Sequence, residues 1–281
     1  MMSKFRLACL QLCLRGDKQA SLAHARLMID KAVKEGGAQM VCLSECFAIP
    51  YGPQFFRPNA ELVPDGETSQ MLKQAAEENK VFLVGGSMSE KDAADRLYNT
   101  CLVYDPEGKL VATHRKVHLF DIDIPGKITF KESDSFTAGD HLTTFDTPYC
   151  RVGLGICYDI RFAPMAQIYR QRGCKLLLYP GAFNMVTGPL NWELLCRGRA
   201  VDNQLYVASV SPARDTSASY VAFGHTMVAS PRGTVVSSTD ENESIVYADI
   251  DLDEVQAARE QIPIGAQIRA DLYAVEDKKT P

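Results

Sequence analysis

Short apolar runs alternate with stretches of helical spacing through the first third of the chain. Phe5-Arg6-Leu7-Ala8-Cys9-Leu10-Gln11 reads as a first strand. Asp17 is placed to cap a helix carrying Leu22, Ala25, Ile29, Ala32 and Val33 on one face, and Gly36-Gly37 stops it. Met40-Val41-Cys42-Leu43 is a short buried strand with Glu45 just past its C-terminal end. After a Pro- and aromatic-rich loop from Ile49 to Gly66, the spacing predicts a helix over Ser69–Asn79 and a strand over Val81–Gly86.

The pattern then shifts toward hairpins. Thr100–Tyr104 and Leu110–His114 flank the turn Asp105-Pro106-Glu107-Gly108. A polar loop is expected from about Asp121 to His141, and an apolar strand runs through Arg151-Val152-Gly153-Leu154-Gly155-Ile156 up to Cys157. Ile160, Ala163, Ala166, Gln167 and Ile168 have helical spacing after that corner, and Gly153 and Gly155 leave room for close backbone approach. A strand at Lys175–Tyr179, a helix at Trp192–Val201 and a strand at Tyr206–Val210 follow. Thr226–Ala229 and Thr234–Val236 are expected to pair with Ile245–Ile250, before a tail helix over Glu254–Gln261 and the run Arg269–Tyr273. No repeat, linker or low-complexity tract divides the sequence. This is the pattern of one α/β domain with sheets buried between helices. In such folds the chemistry gathers at the carboxyl ends of buried strands, where Glu45, Cys157 and Pro180-Gly181-Ala182-Phe183-Asn184 all fall.

Composition narrows the partners. With 281 residues, 46% hydrophobic and 23% charged, the chain can bury a large core. A net charge of −5 with both signs interspersed gives no reason to expect nucleic acid or an anionic membrane. No apolar run reaches the roughly 18 residues of a membrane span, and the N-terminus lacks the features of a secretion signal. Nine cysteines, an odd number, sit mostly in apolar segments without a Cys-x-x-Cys pair. That is how thiols are used in a reducing compartment, so a cytoplasmic location is expected, with a mitochondrial fraction left open.

Three residues fit one reaction. A cysteine at a strand-to-helix corner exposes its sulfur, and free N–H groups of a first helical turn lower its pKa and hold an oxyanion. The plainer reading of Cys157 is a buried core thiol. Glu45 ends an apolar strand, where a carboxylate is costly unless used or paired; otherwise it is a loop acid. Lys116 stands among Arg115, Val117, Leu119 and Phe120, and taken singly is a surface lysine. Amide hydrolysis by a thiol needs a base that takes the S–H proton and returns one to the leaving nitrogen, a role for Glu45. It also needs a cation where the carbonyl becomes an anion, a role for Lys116 with the backbone N–H of Tyr158.

Leu43-Ser44-Glu45-Cys46, His114-Arg115-Lys116-Val117-His118-Leu119-Phe120 and Gly153-Leu154-Gly155-Ile156-Cys157-Tyr158-Asp159-Ile160-Arg161-Phe162 resemble the three catalytic blocks of the nitrilase, or carbon–nitrogen hydrolase, superfamily, in its order. Ser44 departs from the proline commonly found there, which alters backbone stiffness beside the base. The resemblance implies a four-layer αββα sandwich in a single domain over 1–281, with a core at about 4–251 and a tail at 252–281. It further implies no metal or other cofactor and a homodimer or higher homo-oligomer.

Within the superfamily, Leu97-Tyr98-Asn99-Thr100-Cys101, Leu119–Phe130 and Tyr179–Asn184 resemble the omega-amidase branch, which hydrolyses the terminal amide of 2-oxoglutaramate and 2-oxosuccinamate. Glu132 is then a second active-site carboxylate orienting Lys116 or the amide. Arg161, Tyr51, Phe183 and Asn184 are candidate substrate contacts; Arg161 is also open to a structural ion pair, and Asp159 reads as a helix-start cap or a supporting residue rather than a catalytic one. The rivals are a deaminated glutathione amidase with a longer pocket and a catalytically silent binding protein of the same fold. A Cys–His hydrolase using His114, His118 or His225 is a further alternative, and a metal site is disfavoured because His114 and His118 share no face on a strand end.

Overall fold

Along the first strand, Leu7 and Cys9 point into one hydrophobic cluster while Ala8 and Leu10 point into another. The second strand repeats this, with Met40 and Cys42 on one side and Val41 and Leu43 on the other. A strand apolar on both faces is covered on both faces, which is the origin of the layered architecture.

The computed structural model describes residues 3–279, so residues 1–2 and 280–281 of the expected 1–281 domain lie outside the described residues. The chain runs β1 (Lys4–Gln11), α1 (Lys18–Lys34), β2 (Met40–Cys42), α2 (Pro53–Phe56), α3 (Glu67–Asn79), β3 (Phe82–Val84), β4 (Met88–Lys91), β5 (Leu97–Tyr104) and β6 (Leu110–Arg115). It continues through β7 (Asp121–Ile124), β8 (Ile128–Lys131), β9 (Thr143–Asp146), β10 (Arg151–Leu154), α4 (Ala163–Gln171), β11 (Leu176–Pro180) and α5 (Gly188–Asn203). Last come β12 (Tyr206–Val210), β13 (Met227–Ala229), β14 (Val235–Ser238), β15 (Ser244–Asp251) and α6 (Leu252–Gln261).

One sheet has the order β15-β1-β2-β3-β5-β4 with β6 also on β5, and the other β14-β13-β12-β11-β10-β9. The inner faces of both share a core in which Leu7, Cys42 and Val84 join Val152, Leu154 and Leu178. Helices α1 and α3 cover the first sheet through Leu22, Ala25, Ile29, Leu72 and Ala76. Helices α4 and α5 cover the second through Met165, Tyr169, Trp192 and Cys196. The result is the αββα sandwich.

Local chemistry fixes the element ends. Asp17 caps α1, its carboxylate accepting from Ala20 N–H at 2.8 Å, and Gly37 stops the helix at φ +66°. Within each sheet, β1–β2–β3 and β10–β11–β12 are parallel, so β2, β10 and β11 present their carboxyl ends together with their neighbours'.

The sequence expectation needs three corrections here. The stretch 121–141 is not a plain loop: Ile122 and Ile124 alternate against Phe130 and Ile128 in the β7–β8 hairpin, turned at Gly126 with φ +71°. The run 226–250 is not one hairpin. Strands β13 and β14 pair in the second sheet, while β15 crosses to the first and lies antiparallel to β1 over its length, Leu7 opposite Ala248. Burial of Val246, Ala248 and Ile250 in the inter-sheet core draws it there. Finally, α3 and α5 begin before the expected Ser69 and Trp192.

Candidate active site

Each candidate residue sits just past a strand end on a tightly tied backbone. Beyond β2, Leu43 N–H donates to Val84 O at 3.0 Å and Ser87 N–H to Ser44 O at 3.1 Å. Gly86, at φ +60°, makes this approach possible, because a Cβ there would lie 2.1 Å from Ser44 O. Glu45 is therefore held from both sides. Lys116 follows β6, its N–H donating to Asn99 O at 2.8 Å and its carbonyl accepting from Gly139 N–H at 2.8 Å.

The side chains converge in a buried cluster. Lys116 Nζ lies 3.0 Å from Glu45 Oε1 and 2.8 Å from Glu132 Oε2. Lys116 and Glu132 have no exposed surface, Glu45 is 1% exposed and Cys157 5%. Ala182 N–H donates to Glu45 Oε2 at 2.8 Å, and Phe120 N–H to Glu132 Oε2 at 2.6 Å. Gly181 packs on the cysteine, its Cβ position 3.1 Å from Cys157 Cα. Sequence reasoning missed Asn99 as a member of this group. Its Nδ2 donates to Glu45 Oε1 at 2.9 Å and to Glu132 Oε1 at 3.2 Å. The available signal was a carboxamide in the wholly buried strand Leu97–Tyr104.

Cys157 departs from its expected setting. It opens a short 3-10 segment, Cys157–Arg161, and α4 begins only at Ala163, so the cysteine does not stand at the first turn of an α-helix. Its backbone is left-handed at φ +48°, a strained corner for a side-chain-bearing residue. The thiol is not lowered. Burial first, and then the Glu45 charge, push it well above its usual range against the pull of Lys116. Gly153 and Gly155 make room for side chains rather than backbone: a Cβ on Gly153 would strike Leu177 and Tyr169, and one on Gly155 would strike Tyr179.

Electrostatics divide the roles. Burial raises Glu45, Lys116 lowers it and Glu132 raises it, with a net rise above its ordinary value. For Lys116, burial works against the charge, but Glu132 and Glu45 outweigh it and hold the ammonium well above its ordinary value. A permanent cation thus stands beside a carboxylate able to take up a proton.

Tyr51 lies against Phe56, Phe130 and Tyr220, and the β7–β8 hairpin supplies Phe130. Its hydroxyl is buried without a partner among the described residues, as is Asn184 Nδ2. Asn184 Oδ1 is occupied by Val186 N–H and Thr187 N–H, each at 2.9 Å. Tyr220 closes the same wall by donating to Ala182 O at 2.6 Å. A cavity runs outward from Glu45 and Tyr51 past Tyr220 to Leu12, Leu14 and Asp215. Arg161 makes no ion pair among the described residues; it donates to Asn191 Oδ1 at 3.0 Å and lies 5.2 Å from the Phe183 ring centre.

The histidines supply a different group. Far from sharing no face, His114 and His118 both reach Asp159, at 3.2 and 2.7 Å. His225 Nε2 lies near Arg214 and Glu241 instead. Among the described residues no group of three or more His, Cys, Asp or Glu side chains is disposed to hold a metal ion.

Glutamate, lysine and cysteine side chains thus gather past strand ends of a two-sheet αββα sandwich. The family model described as carbon-nitrogen hydrolase matches residues 6–260, and the chain belongs to that family. It is 57% identical to the omega-amidase NIT2 of Bos taurus over 279 residues, covering 99% of this chain and 100% of that protein. It is 56% identical to the omega-amidase NIT2 of Homo sapiens, covering 99% of this chain and 100% of that one. Among solved structures, Saccharomyces cerevisiae Nit3, a member of branch 10 of the nitrilase superfamily, superposes with a TM-score of 0.89 at 40% identity, covering 96% of this chain and 98% of that one.

Proposed function

We propose that this chain is an omega-amidase that hydrolyses the terminal amide of 2-oxo dicarboxylic acid monoamides, 2-oxoglutaramate and 2-oxosuccinamate, through a Cys157 thioester. The enzyme class follows from the family and from relatives above 55% identity over almost the whole chain. The observation that carries the mechanism is the pairing of a fully buried Lys116 with Glu45 and Glu132 beside a buried Cys157.

In this reading Glu45 takes the thiol proton as Sγ attacks the amide carbon. Its raised affinity for a proton suits it to that step. Lys116 and the Tyr158 N–H stabilise the developing oxyanion, and a pre-aimed cation in a dry site acts far more strongly than one in water. Glu45 then gives its proton to the departing nitrogen, ammonia leaves, and the acyl group stays on sulfur. Glu45 next activates water to cleave the thioester, releasing the 2-oxo dicarboxylate and restoring the thiol. Glu132 and Asn99 hold Lys116 and Glu45 in register.

The Tyr51 hydroxyl and Asn184 Nδ2, without partners among the described residues, supply donors for the 2-oxo acid end, with Phe183 at their side, and the Arg161 guanidinium, which meets no carboxylate among the described residues, serves the far acid group. The outward run of the cavity to Leu14 and Asp215 favours a second reading, a deaminated glutathione amidase with a longer acyl chain. Side-by-side kcat/KM for 2-oxoglutaramate and deaminated glutathione is the test. Preference for the longer amide overturns the first reading, and no turnover of either leaves a silent binding protein.

The same proposal covers the assembly and setting of the chain. Residues 4–251 act as one hydrolase domain with a tail at 252–281. Leu190 and Leu194 are two-thirds exposed on the outer face of α5, with Val201 two turns on, a surface suited to a second copy in a homodimer. Sedimentation of the Leu194→Glu variant tests this, with a monomer expected. The nine cysteines are free thiols and eight are buried, in keeping with the cytoplasm. No helix among the described residues is long and apolar enough to cross a membrane.

A further inference from the structure

Asp159 stands two residues beyond Cys157, its side chain wholly buried. Four donors surround its carboxylate. Oδ2 accepts from Ile156 N–H at 2.9 Å and faces His114 Nε2 at 3.2 Å. Oδ1 accepts from His118 N–H at 2.9 Å and faces His118 Nδ1 at 2.7 Å. Ile156 immediately precedes Cys157, and His114 and His118 stand two residues to either side of Lys116. One carboxylate therefore joins both flanks of the lysine to the base of the cysteine corner.

That corner needs external support. A non-glycine residue in the left-handed region is strained, and it persists only where the surroundings over-determine it. Asp159 N–H donates back to Ile156 O at 3.1 Å while its side chain takes the Ile156 N–H, closing a reciprocal pair around Cys157 at φ +48°. The histidines are themselves fixed. His114 Nδ1 meets Thr143 Oγ1 at 3.1 Å, and His118 stacks on Phe162 with ring centres 3.6 Å apart at 8°. Burial would raise the Asp159 carboxyl, but its bonds to His114 and His118 outweigh burial and hold it well below the usual carboxylate range. As a carboxylate it accepts all four bonds.

We infer that Asp159 is a positioning residue for amide hydrolysis: through Ile156 on one side and the His114–His118 bracket on the other, it sets the placement of Cys157 Sγ relative to Lys116. The inference rests on the proposed triad. It assigns Asp159 no proton transfer and His118 no contact with substrate.

The test compares Asp159→Asn, His118→Phe and Cys157→Ala for kcat, KM and melting temperature with 2-oxoglutaramate. Asparagine keeps the shape but turns one acceptor into a donor, and phenylalanine keeps the stack on Phe162 while losing the Nδ1 contact. A misplacement on the ångström scale lowers kcat about 10²-fold, so Asp159→Asn is expected to lose that much, and His118→Phe about tenfold, with KM within twofold of wild type. A kcat within threefold of wild type in folded Asp159→Asn overturns the inference, as does a KM that rises as far as kcat falls. If Asp159→Asn does not fold, His118→Phe decides by the same two criteria, scaled to its tenfold loss. Cys157→Ala separates the underlying reading: turnover surviving in that variant sinks the triad itself, whatever the Asp159 result.

Discussion

Asn99 binds Lys116 through the backbone and shares its two carboxylate acceptors. Its carbonyl accepts the lysine N–H at 2.8 Å, and its carboxamide donates to Glu45 Oε1 and Glu132 Oε1, the oxygens that Lys116 Nζ reaches at 3.0 and 3.1 Å. The two carboxylates thus share a neutral donor as well as a charged one. Without the amide, Glu45 loses part of its orientation while its charge partner remains. Asn99→Leu is expected to lower kcat by about 10–10²-fold with KM little altered. Steady-state kinetics checks this, and an unchanged kcat makes Asn99 a packing residue.

Cys157 contributes a sulfur at a backbone corner rather than a large packed volume. Cys157→Ala should therefore fold, with stability within about 1 kcal/mol of wild type. Its turnover should drop by about 10⁴-fold or more, as for loss of a nucleophile elsewhere. Thermal melting together with ammonia release gives both answers.

The pH profile should carry the mark of Glu45. A general base works only when ionised, and burial and the Glu132 charge raise the Glu45 carboxyl more than Lys116 lowers it. As pH falls, kcat/KM should decline at a midpoint above the ordinary glutamate range. Glu132→Gln removes one raising charge. Its midpoint should shift to lower pH even as its maximal rate falls; a shift the other way would count against Glu45 as the base.

Gly181 touches the backbone of the cysteine. A methyl at its Cβ position would sit 3.1 Å from Cys157 Cα and 3.5 Å from its Cβ, tighter than ordinary packing on the first. Gly181→Ala should push the corner by a few tenths of an ångström and cost about tenfold in kcat, with KM retained. Full activity would mean that the corner gives way freely.

Arg161 should read the far acid of the substrate. Lysine keeps the charge but not the two-pronged geometry, so Arg161→Lys should raise KM about tenfold for dicarboxylic monoamides and much less for neutral amides. Equal effects on both classes would make its contacts with Asn191 and Phe183 the whole of its role.

The layered architecture could be read from the sequence because strands apolar on both faces leave a clear mark, as in Leu7-Ala8-Cys9-Leu10 and Leu176-Leu177-Leu178. Three well-separated blocks pointed to Glu45, Lys116 and Cys157, which lie too far apart in sequence for spacing to bring them together. Asn99 was hidden because strand polarity shows that a side chain is unusual, not what it faces. The β7–β8 hairpin escaped because its alternating residues are only half-buried and charges interrupt them. Asp159 looked like a cap, and one of its oxygens does cap Ile156; its hold on His114 and His118 depends on the meeting of two sheets, which no local pattern records.

Strand β15 lies along the outer edge of β1, with Lys4 opposite Asp251 and Gln11 opposite Ser244. Among the described residues the first strand is thus flanked by the last. Until that closing segment docks, one side of β1 offers bare amides and carbonyls to any passing strand. The sandwich therefore seals only once two segments far apart in the chain have met, a contact of the slow, non-local kind.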